Sequence, residues 1–135
     1  MTAGSAITLF VDRTLDETVQ LLEETRSYVA SAESRSDPAA EPATALRATC
    51  EALRLTTRLA QVLAWLLARK AVVAGELTTE EARQRKWRLG SAATCGDMSH
   101  ENDPELPGDL QDLLQRSRQL YVRISRLDEL VGQTA

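Results

Sequence analysis

The chain has one histidine, two cysteines and one phenylalanine, and aromatic residues make up only 4% of it. So few soft ligands leave no basis for a dedicated zinc site, and two cysteines do not make a disulfide framework. Isoleucine occurs twice and valine eight times, against 20 leucines and 19 alanines. That shortage of β-branched and aromatic residues excludes a sandwich or barrel. Long apolar runs are also missing. The most apolar stretch, 59–68, is interrupted by Gln61 and stopped by Arg69 and Lys70, about half of what a membrane span requires. Asp12 and Arg13 follow an N-terminus without a basic region, so no signal peptide is expected. With Cys50 and Cys95 expected as free thiols, the expectation is a cytoplasmic protein with no membrane association.

Six glycines and four prolines leave residues 5–37, 43–74 and 109–131 untouched. Helix interiors exclude these two residue types by about 1 and 3 kcal/mol, so three long helices follow from where they are absent. The 135 residues, 43% apolar and 27% charged, predict a single all-α domain over 1–135, an antiparallel three-helix bundle with a short additional helix.

The first helix is expected within 6–33, with Leu15, Val19, Leu22 and Val29 as its apolar stripe. Thr14-x-x-Glu17 is a capping-box pattern, so a start at 14 competes with the earlier one, which is preferred here. The second helix is expected over 43–74, with Gly75 as its C-terminal cap. It carries two apolar stripes on opposite sides. One comprises Leu46, Cys50, Leu53, Thr57, Ala60, Ala64, Leu67 and Ala71; the other comprises Leu55, Leu59, Val62, Leu66 and Val73. A helix apolar on two faces has to be covered on both, which makes it the central helix. Thr78-x-x-Glu81 predicts a capping box opening a short basic helix at 79–88, followed by a loop at 91–103. The last helix is expected over 106–131, with Leu106, Leu110, Leu113, Ser117, Leu120, Ile124, Leu127 and Val131 in a regular 3–4 spacing. Leu53, Leu59, Leu66, Leu67, Leu113, Leu120 and Ile124 are the expected core.

The net charge of −4 is unevenly distributed. The middle third is basic and both outer thirds are acidic, which is not the footprint of a nucleic-acid binder. Cys95, Asp97, His100, Glu101 and Asp103 crowd ligand-type side chains into one loop, but their spacing fits no metal template. A nucleophile, base and orienting group in one arrangement are not found, nor is a glycine-rich phosphate loop, so no catalytic residue, metal or cofactor is expected. Arg54, Arg58, Trp65 and Arg69 fall on one arc of the second helix. Tryptophan and arginine are enriched at protein-binding hot spots, so this arc is the first candidate partner-binding or dimer surface. Arg83, Arg85, Lys86, Trp87 and Arg88 form a second candidate, where bases beside an aromatic suit phosphate or single-strand contact.

Leu53-Arg-Leu-Thr-Thr-Arg-Leu59, Trp65-Leu-Leu67, Arg69-Lys-Ala-Val72 and Gly75-Glu-Leu-Thr78 together resemble the bacterial RcdA family, the regulators of CtrA degradation. Leu106-Pro107, Leu110 and the run Leu120-Tyr-Val-Arg-Ile-Ser-Arg-Leu-Asp128 fit the same family, so the resemblance covers roughly 50–131. It implies a dimeric helical protein without enzymatic activity, an adaptor for the ClpXP protease that joins a CpdR-like response regulator and delivers cell-cycle transcription factors. Only Gln133, Thr134 and Ala135 follow Gly132, whereas family members can carry a longer C-terminal tail. Two alternatives remain: a nucleic-acid-binding protein using the 83–88 segment, and a dimeric scaffold with no protease link.

Overall fold

The structure, a computed structural model, describes residues 3–35, 41–89 and 102–133. Three long helices pack around one core: α1 (Ala3–Arg35), α2 (Pro42–Val73) and α4 (Gly108–Gln133). Between α2 and α4 lie the one-turn helix α3 (Thr79–Ala82) and a 3₁₀ turn at Arg85–Trp87. Every described element is helical.

Local chemistry accounts for the ends. Pro42 occupies the first turn of α2, where a missing N–H costs nothing, and Glu41 O accepts the first amides from Thr44 and Ala45. At the other end Gly75 adopts φ +78°. Its N–H donates to Val72 O (3.1 Å) and the N–H of Glu76 donates to Ala71 O (2.9 Å), a Schellman closure. Thr78 and Glu81 form the expected capping box, with each side chain accepting from the other residue's amide. The short basic helix does not run on to 88. Gln84 is extended (φ −63°, ψ 146°), and this break turns Arg88 and Leu89 towards α4.

The order of contacts sets the topology. Glu24 pairs with Arg116 and Glu17 with Arg123, so α1 runs antiparallel to α4. Arg47 pairs with Asp103, Arg58 bonds Ser117 and Trp65 bonds Asp128, so α2 and α4 run in the same direction. Residues 74–107 therefore return the chain from the C-terminal end of α2 to its N-terminal end. Leu106 is buried there, and Arg47 holds both Asp103 and Glu105.

The core is formed by Leu55, Leu59, Val62 and Leu66 of α2 with Leu110, Leu113, Leu114, Leu120 and Ile124 of α4, and Leu21 of α1 joins it. The α4 stripe is buried as the 3–4 spacing predicts through Ile124, with Leu127 and Val131 packed at its margin. Two expectations are corrected. On α1 the buried stripe is Val11, Thr14, Thr18, Leu21 and Thr25, while Val19 and Val29 are exposed. The threonines can be buried because each hydroxyl donates to the carbonyl four residues back: Phe10, Thr14 and Leu21 respectively, each at 2.7 Å. Thr14 is thus inside the helix and caps nothing. On α2 only one of the two apolar faces is covered, and Leu53 (63% exposed) and Leu67 (51%) lie on the open one. Its neighbours in the bundle meet the opposite side of the helix.

Candidate functional site

Arg54, Arg58, Trp65 and Arg69 do share an arc, but Arg58 and Trp65 at its centre face α4 rather than solvent, and Arg54 and Arg69 are half-buried. Arg58 is 2% exposed and Trp65 5%. Arg58 Nη1 donates to Leu114 O (3.1 Å) and Ser117 Oγ (2.8 Å). Trp65 Nε1 donates to Asp128 Oδ1 at 3.0 Å. The centre of the expected surface, Arg58 and Trp65, is therefore part of the packing within one protomer, because α4 supplies acceptors at the level of those two donors. Arg54 lies 3.4 Å from the buried Glu51. Arg69 stacks its guanidinium 5.6 Å from the Trp65 ring centroid, and burial lowers its pKa from the ordinary arginine value.

The second candidate segment is divided in the same way. Arg88 is drawn into the bundle, its Nε 2.7 Å and Nη2 3.2 Å from the Asp128 carboxylate and Nη2 3.0 Å from the Asp128 carbonyl. The Leu89 amide also donates to Asp128 Oδ1 at 3.1 Å. Burial works against a charged Asp128, yet the Arg88 side chain, the Leu89 amide and the Trp65 indole together hold its pKa below the usual carboxylate value. The Arg88 pKa is raised by the same pairing. Gly132 leaves room for this arrangement: a Cβ there would stand 2.8 Å from the guanidinium carbon of Arg88. Arg85, Lys86 and Trp87 remain exposed, with Lys86 Nζ 5.5 Å from the Trp87 ring centroid. Arg83 is half-buried.

The open face of α2 is the first of its two apolar stripes, which was expected to be covered. Leu46 (64% exposed), Cys50, Leu53, Thr57, Ala60, Ala64 and Leu67 line it over more than five turns, all exposed. The hydroxyls of Thr49, Thr56 and Thr57 donate to the carbonyls of Ala45, Ala52 and Leu53. With their hydroxyls directed at their own helix, these threonines leave the face its methyl groups. Arg47, Glu51, Arg54, Arg58, Arg69 and Lys70 all project from the other side of α2 or its flanks. The outer positions of α1 and α4 are different, carrying Arg13, Asp16, Glu23, Asp112, Arg123 and Glu129. Alternating steps of four and three from Leu46 to Ala71, with no charge among them, made the stripe legible in the sequence, but not its exposure.

An open groove of about 540 Å³ runs between α1 and α4, lined by Gln20, Glu23, Glu24, Ser27, Tyr28, Ser31, Asp109, Asp112 and Leu113. Arg116 crosses its rim, pairing with Glu24 through two hydrogen bonds (2.9 and 2.7 Å) and with Asp112 at 3.1 Å. The hydrogen bond from Arg116 lowers the Glu24 pKa. Among the described residues no three histidine, cysteine, aspartate or glutamate side chains cluster to hold a metal. The ligand-rich loop from Cys95 to Glu101 lies outside the described residues, and Asp103 is occupied by Arg47. Cys50 is a free thiol. No described helix is long and apolar enough to cross a membrane.

These features define an all-helical protein whose distinctive surface is suited to contact with another macromolecule. Residues 5–135 match the family described as Protein of unknown function (DUF1465). Among solved structures the chain is similar to RcdA from Caulobacter crescentus CB15. The identity is 36% and the TM-score 0.69, covering 93% of this chain and 92% of that one. No curated protein matches. The chain belongs to the RcdA family.

Proposed function

We propose that this protein is a non-enzymatic adaptor of regulated proteolysis, acting in the cytoplasm as a homodimer that links protein cargo to ClpXP. The observation that carries the reading is the match to RcdA along nearly the whole chain. The surface supports it, since an uncharged face on one helix and a charged groove on the opposite helices are features of a protein that works by contact. A CpdR-like response regulator and cell-cycle transcription factors are the partners this reading implies. Such an adaptor raises the local concentration of cargo at the protease, an effect on the order of 10²–10⁴ that needs no chemistry of its own.

The 83–88 segment gives little support to nucleic-acid binding, because Arg88 is neutralised by Asp128 and Trp87 stands there with no aromatic beside it. A reconstituted degradation assay tests the proposal. ClpXP, a cell-cycle transcription factor below its KM and a CpdR-like protein are combined with and without this protein. Faster cargo turnover in its presence is expected. Unchanged turnover, together with failure to capture either ClpX or the response regulator, overturns the reading.

A further inference from the structure

We infer that Arg69, beside the Trp65–Asp128–Arg88 cluster, is the docking point for a carboxylate group of a protein partner. The inference rests on the reading above only in taking the partner to be a protein; its chemistry comes from the cluster itself. A guanidinium carries five N–H donors in a planar fork. Among the described residues those of Arg69 meet no hydrogen-bond acceptor and no ion-pair partner, and its one directed contact is the Trp65 ring. Asp128 attracts it through charge, while Arg88 repels it. The carboxylate is already engaged, however. Its Oδ1 accepts from Trp65, Arg88 and the Leu89 amide, and its Oδ2 from Arg88. Two guanidinium groups and one carboxylate leave a single positive charge uncompensated. By contrast Arg47, Lys70, Arg88, Arg116 and Arg123 each meet a carboxylate. Arg69 is half-buried, where an unpaired charge costs stability and gains most from a counter-ion.

The arrangement also selects the ligand. The Trp65 ring supports the guanidinium at 5.6 Å, and the indole is itself fixed by its hydrogen bond to Asp128. The fork is thus held in place before anything binds, which spares side-chain entropy on association. A carboxylate can accept two parallel hydrogen bonds from such a fork, and its one charge equals the excess. A phosphate dianion would exceed that charge and meet Asp128 as a like charge. Arg85 and Lys86 offer no equivalent, because they are exposed and pairing there gains little.

The test uses the full chain with Trp87→Phe, which leaves Trp65 as its one tryptophan, so the indole against Arg69 reports binding. The probe is an acetylated and amidated peptide with two glutamates among glycines and alanines. It is expected to change Trp65 emission saturably with a Kd below about 1 mM, whereas the same peptide with glutamine is silent. Arg69→Met should bind the glutamate peptide at least tenfold more weakly. Arg69→Lys, which keeps the charge without the fork, should bind it at least threefold more weakly. Arg69→Met should also keep its helicity and melt no lower than the parent, since methionine packs on the ring and removes an unpaired charge. No saturable response, equal binding by Arg69→Met, or tighter binding of inorganic phosphate than of the peptide overturns the assignment. So does a melting temperature several degrees lower for Arg69→Met, which marks a purely structural arginine. A glutamine peptide with a free C-terminus that binds more tightly than the glutamate peptide supports the site with a chain end as the carboxylate. Accelerated degradation without peptide binding overturns this inference alone, and peptide binding without accelerated degradation overturns the adaptor reading alone.

Discussion

The Arg58 guanidinium, enclosed between α2 and α4, is bonded to Leu114 O and Ser117 Oγ. Arg58→Ala removes those bonds and leaves a cavity where the side-chain stem packed, so it is expected to lower the stability measured by urea denaturation by about 3 kcal/mol. Arg58→Met fills much of that space and should cost clearly less. Asp128 supplies a pH dependence. Its folded pKa is depressed, so its contribution is present above the unfolded value of about 3.9 and is lost as pH falls through the folded one. Asp128→Asn is therefore expected to be destabilised by a constant amount above about pH 5 and to converge on wild type as pH falls through the depressed folded pKa of Asp128. Urea titrations at each pH, followed by tryptophan emission, measure this. Glu24 adds a smaller part of the same acid slope, since its pair with Arg116 is more than a third exposed. The burial of Arg58 and Trp65 was not legible in α2 alone, because their acceptors come from a helix more than 50 residues away. A hint lay in α4, where Ser117 interrupts a row of leucines and calls for a polar partner.

Among the elements, α2 shows best what a sequence can and cannot specify. Its two apolar stripes were visible, as were its end at Gly75 and the capping box that follows, because helix period and cap chemistry are local. Which stripe would be covered by α1 and α4 was not read, since neither carries a charge; the smaller side chains of the Leu46–Ala71 stripe, against only Leu and Val on the other, were the one local distinction. On α1 the periodicity misled because threonine counts as polar, although a helical threonine can satisfy its hydroxyl on its own backbone. The ends give separate tests. Gly75→Ala forces a side chain into the left-handed region and should cost about 1–2 kcal/mol. Thr78→Ala should cost about 1 kcal/mol through the lost cap. Gly132→Ala pushes on the Arg88 guanidinium and is expected to flatten the acid slope that Asp128 supplies. Thermal and acid unfolding of the three variants would separate these effects.

At the scale of the whole molecule, the acid–base–acid layout is used between helices. Asp12 meets Lys70, Arg47 meets Asp103, and the acids Glu17 and Glu24 of α1 meet bases of α4 rather than of α2. These pairs are largely exposed and worth at most about 1 kcal/mol each, so they fix register more than stability. Salt should therefore lower the melting temperature slightly.

The parallel alignment of α2 and α4 also bears on how the chain reaches this state. α1 and α2 are neighbours in sequence and can zip up as a hairpin, but α4 must wait until residues 74–107 have carried it back along the bundle. Closing that long segment costs chain entropy before any of its contacts form, so folding should be slower than in a simple up-down-up bundle of the same length. The barrier should already contain α1 against α2 and lack most of α4. Leu55→Ala is then expected to slow refolding, whereas Ile124→Ala should chiefly accelerate unfolding, a contrast that stopped-flow chevron plots can read directly.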